Sequence, residues 1–293
     1  MKKKVIAVFT DIHGCQYEHV KLIEKIKENN EIVQYIYLGD LIDRGQWSKW
    51  VLRYVKNLME SDTPVILLKG NHEDKLLRWL SIRDNEAYRY WMRNGGEKTV
   101  ESFTKEEFIS EELRNEMKEY LSIFDNAKIY HVQKIGDKTY IFSHSGGDRD
   151  TLDRILDGEK MGGYDLEDLM YSRERYFYGG LKERKNTYYV FGHTSLDYKS
   201  AGLEIAPVIT KTADGTSADI GLDTGCCYGN ALSVLLIDSE TGEYETVSFP
   251  YTEPPCDKEP SSDEYEDYFD WHLDECVKEA GESVKRKKKK KSS

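Results

Sequence analysis

One pattern occurs three times between residues 5 and 80 and restricts the fold more than any other feature of the sequence. Each copy has a short apolar run, a polar motif and a helical stretch, and the apolar runs cover residues 5–9, 32–38 and 64–68. Strands that alternate with helices are typical of βαβ units in a mainly parallel sheet. Because ligands of such sheets bind beyond the carboxyl ends of the strands, we expect the three polar motifs to meet there.

The second half of the chain has a different pattern. Residues 87–124 read as amphipathic helices that are interrupted at Asn94, Gly95 and Gly96. A second sheet packed on the first, with helices outside both, accommodates the strands that follow, so the predicted fold class is α/β. Turn sequences at 135–137 and 239–242 indicate two hairpins. The predicted strands cover residues 128–132, 139–143, 188–191, 220–223, 232–237 and 244–249.

We predict one globular domain over residues 1–250, with residues 84–126 as a helical insertion that shapes a groove. The remainder, residues 251–293, is acidic and then basic from Lys285 to Lys291, a composition that favours a weakly ordered tail. The formal net charge of −12 argues against broad nucleic-acid affinity. Contact with nucleic acid is therefore expected only through the terminal basic run.

The sequence predicts a cytoplasmic protein, which we expect to be a monomer. The apolar run after the basic N-terminus is too short for a signal peptide, and no stretch approaches the roughly 20 apolar residues of a membrane helix. The cysteines are odd in number and fit no zinc spacing, which favours reduced, packed thiols over a redox pair. They are Cys15, Cys226, Cys227, Cys256 and Cys276.

The first two polar motifs contain residue types that bind metals and phosphate. Asp11 and His13 lie two positions apart after the first strand, so in extended backbone their side chains point the same way and can converge on one ion. Asp40 ends the second strand, where a carboxylate can bridge two ions. Arg44 follows Asp43 and offers a planar fork that suits phosphate oxygens, although an Asp–Arg surface pair in a turn has the same sequence.

Asparagine and histidine residues at strand ends give the remaining signal. Asn71 and His72 follow the third strand, and in extended backbone one would face a metal while the other donates a proton to the substrate. His144 and His193 end two later strands beside Gly or small polar residues. Each position alone fits a structural role, but four of the seven histidines lie in such settings, which favours one shared site.

Together these motifs resemble the phosphoprotein phosphatase family of calcineurin-like metallophosphoesterases, and within it the bacterial and phage serine/threonine protein phosphatases. The similar segments are residues 11–14, 39–45 and 70–73, His144, and residues 192–194. The resemblance implies a four-layer sandwich in which helices flank two mixed sheets. It also implies hydrolysis of phosphate monoesters, with a phosphorylated protein as the substrate.

The resemblance further implies two divalent metal ions, most often manganese, with iron, zinc or magnesium as alternatives. A water shared by the two ions would attack phosphorus in line with the leaving group. Asp40 would bridge the ions. The full set of implied ligands is Asp11, His13, Asp40, Asn71, His144 and His193.

Other residues would act on the substrate, again by resemblance. His72 would be the general acid, oriented by Asp43, and Arg44 would bind the phosphoryl group together with Asn71. The family uses a second arginine, and we favour Arg173 over Arg175 for that role. The competing interpretation is that both of these arginines pair with nearby acids.

Three alternatives stay open on the sequence alone. Symmetrical hydrolysis of diadenosine tetraphosphate uses the same chemistry in related enzymes, but those relatives often carry Ala where this chain has Asp43. A nucleic-acid end-processing phosphatase is encouraged only by the terminal basic run, and a catalytically inactive scaffold is disfavoured by the complete set of residues. Thr10 stands where the family has Gly, so its side chain must avoid the ions or form a local hydrogen bond.

Overall fold

Two five-stranded β-sheets lie at the centre of the computed structural model, which describes residues 2–105, 109–196, 198 and 202–252. Parallel pairs join β1 to β2, β2 to β3, β5 to β6 and β6 to β8, and the other pairs are antiparallel, so both sheets are mixed. The first sheet runs, from edge to edge, β10 (Tyr244–Pro250), β9 (Ala231–Asp238), β1 (Lys3–Phe9), β2 (Asn30–Tyr37) and β3 (Val65–Leu67). The second runs β4 (Tyr130–Ile135), β5 (Lys138–Ser143), β6 (Thr187–Phe191), β8 (Ala218–Gly221) and β7 (Val208–Lys211).

Helices connect these strands and cover the outer faces of the sheets. The amphipathic α2 shows why they form: Trp50, Tyr54 and Leu58 recur at helical spacing and are buried on one face. The helices are α1 (Gln16–Asn29), α2 (Ser48–Met59), α3 (Asn71–Ile82), α4 (Asn85–Trp91), α5 (Glu97–Phe103), α6 (Glu111–Leu121), α7 (Thr151–Leu156), α8 (Gly163–Tyr171) and α9 (Glu174–Tyr178).

The alternation of side chains along β1 shows the order of the layers. Ile6 and Val8 belong to the core between the sheets, which also contains Tyr140 of β5. Val5 and Phe9 point the other way, into the core that α1, α2 and α3 cover. A third core lies between the second sheet and helices α7 and α8. The predicted four-layer sandwich is therefore confirmed.

Most predicted elements are present within a few residues of their predicted bounds. The two predicted hairpins join β4 to β5 and β9 to β10. The predicted interruption in the helical insertion is a turn between α4 and α5, where Gly95 has a φ of 99°. Strand β7 was not predicted, because its four residues form a half-exposed edge and carry no clear alternation.

Some predictions concern residues outside the described ranges or properties that the fold does not test. Beyond residue 252 the acidic tail, the Lys285 to Lys291 run, Cys256 and Cys276 lie outside the described residues. The three described cysteines carry free thiols. None of the helices in the described ranges is both long and apolar enough to cross a membrane. The predicted domain bounds, monomeric state and cytoplasmic location stay predictions.

Candidate metal centre

The loops that follow β1, β2, β3, β5 and β6 converge at one end of the two sheets, and Asp40 lies where they meet. Its Oδ2 atom is 3.6 Å from His13 Nε2, 3.8 Å from His72 Nε2 and 3.2 Å from His144 Nε2. Asp11 Oδ1 lies 3.7 Å from His13 Nε2. All of these side chains are buried. Residues from four separate motifs are thus brought within ligand distance of one another.

The Asn71 amide joins this cluster to His193. One terminal atom of the amide lies 3.0 Å from His193 Nδ1 and 3.1 Å from both His144 Nε2 and Asp40 Oδ2, while the other lies 2.7 Å from Lys75 Nζ. Hydrogen bonding within the protein favours the nitrogen toward the cluster and the oxygen toward Lys75. In the reversed orientation the oxygen adds a lone pair to those of a carboxylate and two imidazoles, which is a donor set for a divalent cation.

Two groups of ligand atoms therefore share Asp40. Asp40, His13 and His72 present atoms that all lie within 4.8 Å of one another, and so do Asp40, His144 and His193. All six predicted ligands and the predicted acid lie in this one cluster. The residue types and their spacing fit two adjacent metal ions with a shared carboxylate.

Four of the proposed ligands have left-handed backbone and not the extended backbone that the sequence predicts. Asp11 and His13 have φ values of 49° and 46°, and Asp40 and His193 have values of 53° and 67°. The prediction that Asp11 and His13 converge through strand alternation is therefore wrong. Such conformations cost free energy in residues other than Gly, and here hydrogen bonds between the loops hold them, for example Asp11 N to Gly39 O at 3.1 Å.

Asn71 and His72 lie in the first turn of α3, so the prediction that they occupy extended backbone is also wrong. Successive helical residues point about 100° apart, and their side chains still diverge. Glu73, in the same turn, accepts hydrogen bonds from the backbone nitrogens of Asp40 and Leu41, at 2.9 and 2.7 Å. It therefore ties the start of α3 to the loop that carries Asp40.

Thr10 supports Asp11. Its hydroxyl donates a 2.6 Å hydrogen bond to Asp11 Oδ2, which also accepts one from His193 N at 2.8 Å. This confirms the expected local bond of Thr10. Gly192 is needed beside them, because a Cβ there would lie 2.1 Å from both Thr10 Oγ1 and Asp11 Oδ2.

His72 is oriented by Asp43 through a 2.6 Å contact between Nδ1 and Oδ2. Because Asp43 holds the proton-bearing Nδ1, the other ring nitrogen, Nε2, faces the cluster. Asp43 Oδ1 accepts hydrogen bonds from Trp91 Nε1 at 2.8 Å and from the Thr99 hydroxyl. Both partners come from the helical insertion, which therefore helps to hold Asp43 in place beside His72.

Backbone carbonyls fix which nitrogen of each proposed histidine ligand faces inward. His13 Nδ1 lies 2.7 Å from Ile42 O, and His144 Nδ1 lies 3.1 Å from Leu38 O. His193 Nε2 lies 3.2 Å from Tyr171 O. In the His13 and His193 rings the nitrogen that bonds the carbonyl carries the proton, so the opposite nitrogen has its lone pair directed at the cluster. In His144 the inward nitrogen offers a lone pair once the ring has lost its second proton.

The two predicted arginines differ in position. Arg44 lies at the cluster, where its guanidinium contacts His13 Nε2 and lies 3.0 Å from His72 Nε2. Arg173 is exposed, and its Nη1 donates to His193 O at 2.8 Å and to Thr194 Oγ1 at 2.7 Å. Arg175 is buried in a separate cluster, where it pairs with Asp153 and Asp219.

Burial and charge set the protonation of the centre. Burial lowers the pKa of His193 to about 2, and burial together with Arg44 lowers the pKa of His13 well below its usual value. Burial alone would lower the pKa of His144 too, but the charge of Asp40 outweighs it and raises that pKa to about 9. Neutral His13 and His193 have the lone pairs that metal binding requires.

Lys75, Glu73, Trp91 and Thr99 were not identified from the sequence. Lys75 and Glu73 lie within two to four residues of Asn71 on one helix, so an i, i+4 relation on α3 could have indicated Lys75. Trp91 and Thr99 reach Asp43 across 48 and 56 residues of chain, and no local pattern carries that information.

Comparisons with known proteins agree with this geometry. The family description that matches residues 4–220 is calcineurin-like phosphoesterase. PrpE of Bacillus subtilis, named an asymmetrical bis(5'-nucleosyl)-tetraphosphatase, is 27% identical in an alignment 266 positions long that covers 84% of this chain and 95% of PrpE. The protein of the same name from Halalkalibacterium halodurans is 26% identical over 84% of this chain and 94% of its own. The solved structure of hypothetical protein PH1004 from Pyrococcus horikoshii has a similar fold, with a TM-score of 0.50 at 17% identity, and covers 85% of this chain and 89% of that chain.

Proposed function

The chain belongs to the calcineurin-like phosphoesterase family, and from that premise we propose that it is a metal-dependent hydrolase of dinucleoside tetraphosphates. One observation carries the proposed chemistry: Asp40 Oδ2 lies between two groups of inward-facing lone pairs. The substrate is proposed from the names of the PrpE relatives, which match over nearly their whole length. These names outweigh the sequence argument that Asp43 disfavours a dinucleotide.

The proposed ligands divide between two ions. Asp11, His13 and Asp40 would hold the first, and Asp40, Asn71, His144 and His193 would hold the second. When bound, two divalent ions supply an acidified water as the nucleophile and neutralise charge on the phosphoryl oxygens. We propose manganese as the resident metal, because the carboxylate and amide oxygens of the cluster suit it, while the imidazoles make iron and zinc the alternatives to test.

Arg44 and Arg173 would hold the phosphoryl oxygens from two sides. Arg44 reaches the cluster beside His13 and His72, while Arg173 reaches it beside His193. A guanidinium offers paired donors in one plane, which match phosphate oxygens. This placement supports the choice of Arg173 over the buried Arg175.

His72 would protonate the leaving oxygen through Nε2. Its Nδ1 is held by Asp43, which fixes the orientation of the ring and leaves Nε2 toward the cluster. The same arrangement favours a second candidate, the serine/threonine protein phosphatase. A serine or threonine alkoxide leaves poorly without a proton, whereas a phosphate leaving group depends less on protonation.

Side-by-side kinetics with manganese would distinguish the two substrates. We expect kcat/KM to be higher on diadenosine tetraphosphate than on a phosphothreonine peptide, with ATP and AMP as products. Faster turnover of the peptide would contradict the dinucleotide assignment and favour the protein phosphatase. Two ADP molecules as products would instead show symmetrical cleavage. The variant Asp40→Asn, purified in parallel, controls for contaminating phosphatases.

A further inference from the structure

Two exposed tyrosines lie beside the metal centre, each next to one of its cations. The Tyr228 side chain is 57% exposed, and its ring centroid lies 5.4 Å from Arg44 Cζ. The Tyr90 side chain is 55% exposed, and its ring centroid lies 4.5 Å from Lys75 Nζ. Large rings with open faces next to buried charge are surfaces on which a planar ligand can stack.

The two rings lie beside cations that contact different members of the ligand cluster. Arg44, beneath Tyr228, contacts His13 and His72. Lys75, beneath Tyr90, lies 2.7 Å from the Asn71 amide, whose other end meets the two later histidines. Asp40 Oδ2 lies 3.8 Å from His72 Nε2 and 3.1 Å from the Asn71 amide, so both tyrosines are one cation away from the groups around Asp40.

The backbone holds both rings in place. Tyr228 ends a short 3₁₀ turn, Cys226–Tyr228, between two glycines in left-handed conformation, Gly225 and Gly229, with φ values of 70° and 79°. Tyr90 lies on α4, and the turn after this helix is fixed to the centre because Gly95 O accepts a 3.0 Å hydrogen bond from Arg44 N. Rings presented in this way need little reordering to bind a ligand.

We propose that Tyr228 and Tyr90 are stacking platforms for the two nucleobases of a dinucleoside tetraphosphate, with Arg44 as the first cation that its phosphate chain meets. This inference rests on the proposed function and deepens it. Two separate aromatic platforms near one phosphate site suit a ligand that has a base at each end. Stacking on an aromatic ring is tolerant of base identity, so diadenosine and diguanosine tetraphosphates should be accepted about equally as substrates.

The first experiment measures KM for diadenosine tetraphosphate in Tyr228→Ala and Tyr90→Ala. Each variant should raise KM about tenfold, the size of one lost base stack, and Tyr228→Trp should keep the wild-type value. Tyr164→Ala is the matched control, because Tyr164 is 86% exposed in α8 and has no part in the centre. Unchanged KM values in both alanine variants would overturn the inference.

A second experiment separates this inference from the proposed function. Hydrolysis of p-nitrophenyl phosphate is inhibited with ATP or with inorganic tripolyphosphate, which has the same phosphate chain but no nucleoside. Wild type should bind ATP more tightly, and the alanine variants should lose that preference while inhibition by tripolyphosphate stays the same. If the dinucleotide is not hydrolysed but this pattern holds, only the proposed function is wrong. If the dinucleotide is hydrolysed and the pattern is absent, only the stacking platforms are wrong, and if both results fail, both are wrong.

Discussion

Among the residues that the structure describes, two buried clusters of charged side chains are built on opposite principles. In the second cluster Arg175 pairs with Asp153 at 3.3 Å and with Asp219 at 3.0 Å, while Arg184 pairs with Asp153 at 3.0 Å. Each carboxylate there meets a cation from the protein itself. At the metal centre, by contrast, carboxylate and imidazole lone pairs face one another around Asp40.

The contrast distinguishes a structural cluster from a ligand site. A buried carboxylate is tolerated when cations and hydrogen bonds match it, as in the Arg175 cluster. Acceptors that converge without enough donors instead indicate a cation that the protein does not supply. Arg173 and Arg175 are only two positions apart but belong to different regions. Arg173 bonds the backbone of His193 beside the centre, whereas Arg175 is buried in the structural cluster.

The largest expected effect compares one carboxylate from each cluster. Asp40→Asn should lower kcat/KM by more than about 10⁴-fold, because the proposed shared ligand loses its charge. Asp219→Asn, the matched control, should keep kcat/KM within about threefold, since its carboxylate forms its ion pair with Arg175, away from the metal centre. Steady-state kinetics on purified, folded variants measures both. Comparable activity losses in the two variants would remove the distinction between the clusters.

The next effect concerns the proposed acid. His72→Ala should lower kcat by about 10²–10³-fold on an alkyl phosphate and by clearly less on p-nitrophenyl phosphate, whose leaving group needs little protonation. Manganese content should stay at the wild-type level, which metal analysis can check. Equal losses on the two substrates would contradict the acid role and favour His72 as a metal ligand, since its Nε2 lies 3.8 Å from Asp40 Oδ2.

A third comparison uses the two neighbouring arginines. Arg175→Met should lower the free energy of unfolding by about 3 kcal/mol, because it leaves Asp219 without its cation in a buried cluster. Arg173→Met should leave that free energy within about 0.5 kcal/mol and reduce kcat/KM instead. Denaturant titration and kinetics of both variants test the pair. The reverse pattern would show that Arg175 is the phosphate-binding arginine.

The smallest expected effect concerns a buried histidine outside the centre. His19 lies 3.0 Å from the Tyr37 hydroxyl, and burial lowers its pKa from 6.5 to about 3. Because the unfolded chain binds this proton below pH 6.5, the stabilisation is present above pH 6.5 and is lost as the pH falls toward 3. At pH 5 the loss should be about 2 kcal/mol relative to pH 7.5.

His19→Gln removes the titrating ring and should make the fall in unfolding free energy shallower by that amount. Denaturant titrations at the two pH values measure it. An identical pH dependence in wild type and variant would show that His19 keeps an ordinary pKa and is not held neutral by its surroundings.

The sequence predicted the inward-facing residues because each one follows an apolar strand in a short polar motif. Strand ends of one sheet meet in space, so Asp11, Asp40 and Asn71 could be placed together without knowledge of the tertiary structure. The directions of the side chains could not be predicted in the same way. Left-handed backbone at Asp11 and His13 depends on hydrogen bonds to the next loop, which no local pattern shows.

The residues that support Asp43 could not be predicted from the sequence for a related reason. Trp91 and Thr99 look like ordinary members of amphipathic helices, and only the packing of the insertion on α2 and α3 brings them to Asp43. Likewise Arg173 and Arg175 lie on either side of Glu174, and the sequence offers little else to tell their roles apart. What separates them is the start of α9 at Glu174, which turns their side chains in different directions.

Titration of metal-free protein with Mn²⁺ tests the central claim most directly. If the lone pairs around Asp40 form a centre for two ions, calorimetry should show two Mn²⁺ bound per wild-type chain, and Asp40→Asn should weaken both binding events while Asp219→Asn leaves them unchanged. Binding of fewer than one Mn²⁺ per wild-type chain, or equal binding by wild type and Asp40→Asn, would contradict it.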